Sequence, residues 1–106
     1  MVRETQLTQG LKTRLMYVEN KHGEIDGANG RIGWVRFSKT GRTVYYRGLE
    51  LLKARGVSGN FIDLTTGEEY WVSGVKKRGS NAHWAERTSV AVDDDALAAY
   101  EELRAG

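Results

Sequence analysis

A chain of 106 residues with 40% hydrophobic and 28% charged side chains and a net charge of +2 has the composition of one globular domain, without room for a second core. It contains no cysteine, which excludes disulfides, thiolate metal sites and cysteine nucleophiles. Its apolar runs are far too short to cross a bilayer; with no apolar secretory core near the N-terminus, a cytoplasmic protein without a membrane partner is expected.

The modest net charge hides a segregation. Residues 1–30 carry four basic and four acidic side chains, residues 31–87 eleven and five, and residues 88–106 one and five. A basic central block of this kind attracts phosphates, and an acidic tail repels or screens them. Proline is absent and glycine numbers 13, so the turns must come from Gly, Asn, Asp, Ser and Thr.

In chain order, residues 1–13 read as a flexible polar extension, and 14–106 as a single β-rich domain. Arg14 to Glu19 is rich in β-formers, with Leu15 and Tyr17 on one face and Met16 and Val18 on the other. Asn20 to Gly30 is a glycine-rich loop. Arg31 to Ser38 has period two, with Ile32 and Trp34 opposed to Val35 and Phe37. Lys39-Thr40-Gly41-Arg42 is a tight turn returning through Thr43 to Arg47 as the clearest hairpin. Gly48 to Val57 reads as a strand end followed by a short turn or helix. Phe61 to Leu64 and Glu69 to Val75 form a second hairpin around Thr65-Thr66-Gly67, a type I turn ending in a left-handed residue. Lys76 to Asn81 turns the chain again, and Ala82 to Arg87 and Ser89 to Val92 supply further short strands. Asp93-Asp94-Asp95 caps a helix over 94–104, with Leu97, Tyr100 and Leu103 on one face and Arg104 in its last turn.

This pattern predicts a mainly β fold: a small curled antiparallel sheet or an SH3-like or OB-like partial barrel of five to six strands with one C-terminal helix. Its densest stretch is Gly67 to Glu86, holding two of the three tryptophans and the only run of three basic residues. Tyr70, Trp71, Val72 and Trp84 are expected in the core, and Lys76, Lys77 and Arg78 are expected to be held out toward a partner.

Three pieces, RLMYVENK at 14–21, RIGWVRFSKTGRTVYYRG at 31–48 and GNFIDLTTGEEYWVSGVKKRGSNAHWAE at 59–86, together resemble a family of small uncharacterised bacterial β-rich proteins. That resemblance implies no established activity. Some of its members carry the label 1-deoxy-D-xylulose-5-phosphate synthase, but that activity belongs to a large thiamine-diphosphate enzyme of several domains. A chain of 106 residues cannot build its cofactor site.

No catalytic signature emerges from the residues. His22 and His83 lack metal-ligand spacing, there is no nucleophile elbow, and Glu68 and Glu69 alternate across a strand rather than pair. The triple aspartate lacks the spaced oxygen ligands of a cation site. No catalytic residue, cofactor or metal is therefore expected, and His83 is expected in a strand, partly buried and hydrogen-bonded. The favoured expectation is a non-enzymatic binding domain that contacts RNA or single-stranded DNA through the basic turn Lys76, Lys77 and Arg78 and through Arg36, Lys39, Arg42 and Arg47 on the first hairpin. The alternative is a protein–protein interaction module, including self-association through an exposed edge.

Overall fold

The computed structural model describes residues 12–55, 59–84 and 89–106. Seven strands follow one another as β1 (Lys12–Asn20), β2 (Gly30–Phe37), β3 (Thr43–Tyr46), β4 (Leu49–Lys53), β5 (Phe61–Ile62), β6 (Glu69–Gly74) and β7 (Val90–Val92). A 3-10 turn over Asp94–Ala96 runs into helix α1 (Leu97–Ala105). The first six strands form an antiparallel meander, and β6 returns to pair with β1, closing a six-stranded barrel. The strand β7 is the exception: it adds to β2 in parallel, opposite Gly30 to Ile32.

Alternation along each strand decides what is inside. One face contributes Val18, Val35, Val44, Tyr46, Leu51, Phe61, Tyr70 and Val72 to a single buried cluster, joined by Ile25 from the loop after β1 and backed by Met16, Phe37 and Leu49. The opposite face of β1 and β2 is also covered, since Tyr17 and Ile32 lie opposite each other and are fully buried, as is Ala96 beyond them in the chain. The expected separation of Ile32 and Trp34 from Val35 and Phe37 holds. Closure of the sheet goes further than the partial barrel expected from sequence.

Two hairpin turns formed as read. Gly41 takes φ +75 in the β2–β3 turn and Gly67 takes φ +79 in the β5–β6 turn, where a side chain would be strained. A third turn, Arg47-Gly48 between β3 and β4, has positive φ at both central residues. That geometry matches the right-handed twist of the strands, and it resolves the ambiguous Gly48 to Val57 segment into a strand over Leu49–Lys53, with 56–58 outside the described residues.

Several expectations need correction. Trp71 and Trp84 are not in the barrel core: Trp71 alternates with Tyr70 and Val72 and faces outward. Ala82, His83 and Trp84 form a loop rather than a strand, while 85–87 lie outside the described residues. Leu64 is 71% exposed in the turn after β5. Lys12 and Thr13 belong to β1; the rest of the expected extension lies outside the described residues. On α1, Leu97 is exposed, and Ala99 and Leu103 instead line a groove with Leu15 and Val75. The side chain of Asp93 makes no capping hydrogen bond.

Candidate functional site

The meander gives the barrel two unlike ends. At one lie the end of β1, the β3–β4 turn, the β5–β6 turn and Asp93. At the other lie the start of β1, the β2–β3 turn and the last residues of β4 and β6.

At the first end a network of charges satisfies itself. Asp93 is buried and its carboxylate accepts from Arg31 Nε at 2.8 Å and from the Tyr46 hydroxyl at 2.6 Å, with Arg47 Nη1 at 3.3 Å. Arg31 also donates to the carbonyls of Ile25 and Asp26, and Arg47 Nε donates to Asp26 Oδ2 at 2.6 Å. Gly33 makes room for this carboxylate, because a Cβ there would collide with Asp93 and Tyr46. Burial raises the pKa of the Tyr46 phenol, Asp93 raises it further, and Arg31 and Arg47 oppose the shift. The hydrogen bond to Asp26 is the main reason Arg47 holds its proton more firmly than usual. A cleft of about 620 Å³ beside this network is lined by three arginines (Arg31, Arg36, Arg47) and three aspartates (Asp93, Asp94, Asp95), along with Trp34 and Tyr45. Its charges balance.

The other end is different. Lys12 and Arg14 come from β1, Lys39 and Arg42 from the β2–β3 turn, and Lys53 and Arg55 from the end of β4 and the residues beyond it. All six are exposed. Two adjoining grooves run between them, of about 540 and 560 Å³. Lys12, Arg14, Lys39 and Lys53 line the first, Arg42, Lys53 and Arg55 the second, and Thr40 and Lys53 border both. No described acidic residue lines either groove, and none of the six cations forms an ion pair among the described residues. The turn is held rigidly: Ser38 N–H donates to the Thr43 carbonyl, Thr43 N–H donates to Ser38 Oγ, and Lys53 N–H donates to the Arg42 carbonyl at 2.7 Å.

The predicted contact residues therefore separate. Lys39 and Arg42 sit at the basic end. Lys76, Lys77 and Arg78 are exposed on the turn by which the chain leaves β6 toward that same end. This turn is fastened by Lys76 N–H to Asn81 Oδ1 and by Arg104, which donates to the carbonyls of Lys76 and Gly79. Arg36 faces the charge-balanced cleft instead, and Arg47 is engaged by Asp26 and Asp93. Sequence reasoning missed Lys12, Arg14, Lys53 and Arg55. The available signal was the repeated Lys-x-Arg spacing of 12–14 and 53–55, which places two cations on one side of an extended chain.

His83 lies in the loop against the outer face of β6. Its exposed ring stacks on Trp71 with centroids 3.7 Å apart. Its backbone N–H, not its ring, meets Glu19, whose buried carboxylate also accepts from Trp84 N–H and the Tyr17 hydroxyl. Among the described residues no group of three or more His, Asp or Glu side chains is arranged to hold a metal ion, and no helix is long and apolar enough to cross a membrane. Comparison of the chain with protein-family models, curated proteins and solved structures finds no match.

Proposed function

We propose that this barrel is a non-enzymatic nucleic-acid-binding domain whose contact surface is the basic end. The observation that carries the reading is the pair of adjoining grooves formed by six exposed cations from three separate segments, with no described carboxylate lining either. Cations arranged in this way neutralise phosphates and release condensed counterions, which supplies affinity without regard to sequence. Lys76, Lys77 and Arg78, exposed on the turn that follows β6, line neither groove and are a secondary contact in this reading. Arg47 contributes little, because Asp26 and Asp93 already neutralise it.

The test is fluorescence anisotropy with labelled RNA and DNA oligonucleotides at two salt concentrations. If four to six phosphates are neutralised on a single strand, affinity falls roughly 50- to 300-fold between about 50 and about 200 mM salt. The Lys39→Ala/Arg42→Ala/Lys53→Ala/Arg55→Ala variant loses most of the affinity and flattens the salt slope, while Arg47→Ala changes binding little. Absence of binding at low salt, or binding indifferent to the fourfold variant, rejects the proposal.

A further inference from the structure

We infer that the basic end takes a single strand rather than a duplex, with one base stacked on the guanidinium of Arg14. The inference rests on the nucleic-acid reading and adds the ligand's strandedness and the residue that reads its bases.

Three observations lead to it. First, the cations line concave grooves, each of a volume suited to a small-molecule-sized group such as one nucleotide. Second, among the described residues no helix or long two-stranded ribbon, the elements that enter a duplex groove, stands at this end. The β2–β3 pairing runs to Phe37 and Val44, and Gly41 N–H donates back to the Ser38 carbonyl, so the two strands are joined by a tight turn and not by a long ribbon. Third, the first groove carries a guanidinium beside an aromatic ring. Arg14 lies over the ring of Phe37 at 5.8 Å, and Phe37 is itself packed against the core on its inner side. Arg14 is exposed, and the ring beside it is held in place by the core. Single-stranded nucleic acid is read by stacking unpaired bases on surfaces of this kind, Arg planes included. Bases paired inside a duplex are not available to it.

The grooves then order the strand. One phosphate lies between Lys39 and Lys53 beside the stacked base, and the next lies between Arg42 and Arg55. Lys53 borders both grooves and bridges consecutive phosphates.

Three probes test this: a labelled single strand of about eight nucleotides, the same sequence as a duplex, and an abasic single strand of equal length. The expected result is single-strand binding at least about tenfold tighter than duplex binding, with the abasic strand weaker by a similar factor, the size of one stacking contact. Arg14→Lys keeps the charge and removes the plane. It weakens the base-bearing strand by about the same factor and leaves the abasic strand unchanged. A duplex that competes as well as the single strand, or an Arg14→Lys variant that binds both single strands like the parent, overturns the inference while the nucleic-acid reading stands. If none of the three probes binds, that reading fails as well.

Discussion

The carboxylate of Asp93 gathers Arg31, Tyr46 and Arg47, with only 8% of its side chain accessible. Removing its charge leaves a largely buried guanidinium without its counter-ion. Asp93→Asn is therefore expected to destabilise the fold by about 3 kcal/mol, and Tyr46→Phe, which removes one donor, by about 1 kcal/mol. Urea denaturation measures both, and a loss below about 0.5 kcal/mol for Asp93→Asn means the network is not structural. The buried phenols add a pH dependence. Burial, followed by Glu68 and Asp63, pushes the Tyr70 phenol up to about 12. Burial and Glu19 also raise Tyr17, and Tyr46 moves in the same direction. In the unfolded chain these groups ionise near pH 10. From there up to about pH 12 the unfolded state releases protons that the folded state retains, so stability falls as pH rises. Denaturation midpoints measured from about pH 9 to about pH 11 should decline through the upper part of that range; a flat profile would contradict the assignment. None of this was legible from Asp93-Asp94-Asp95, which reads as a helix start. The partners lie 62 and 47 positions away.

Among the elements, the turns govern the register. Arg47 and Asp26 are the described non-glycine residues with positive φ, each followed by a glycine with positive φ, and they are bound to each other at 2.6 Å. Two reversals of the same kind thus hold one another at the first end of the barrel. Gly48 has φ +82 with open space around it, so Gly48→Ala meets backbone strain alone. It should lower stability by about 1–2 kcal/mol in thermal or urea melts; an unchanged midpoint argues against the turn geometry. The shortest strand has help of another kind. Asn60 precedes β5, and its side-chain amide exchanges two hydrogen bonds with the backbone of Val72, prolonging the ladder that Phe61 and Ile62 begin. Glycine turns after polar residues were readable, as Gly41 and Gly67 show. In contrast, Tyr70-Trp71-Val72 offered three core-like side chains where alternation admits two. Only the strand's facing decides that Trp71 goes out to meet His83.

Among the described residues the molecule is polar in the electrostatic sense, with a self-neutralised end opposite a basic end whose grooves no acidic residue lines. The segregation along the chain pointed to a basic central block and an acidic tail, but the basic end could not be assembled from sequence, since Lys12 and Arg14 come from outside that block and Arg31, Arg36 and Arg47 within it go to the balanced end. The basic end needs β1, the β2–β3 turn and the end of β4 brought together by long-range pairing. The connectivity that does this also has a consequence for biosynthesis. Pairing from β1 through β5 joins sequence neighbours, whereas the barrel closes only when Val72 reaches Val18, 54 positions earlier. Until β6 has been synthesised, β1 and β5 each present an unpaired edge, the surface through which nascent chains add to one another. β6 covers both edges at once. A ribosome pausing before Glu69 would thus hold an open sheet with two adhesive borders, and the few residues that follow turn it into a closed one.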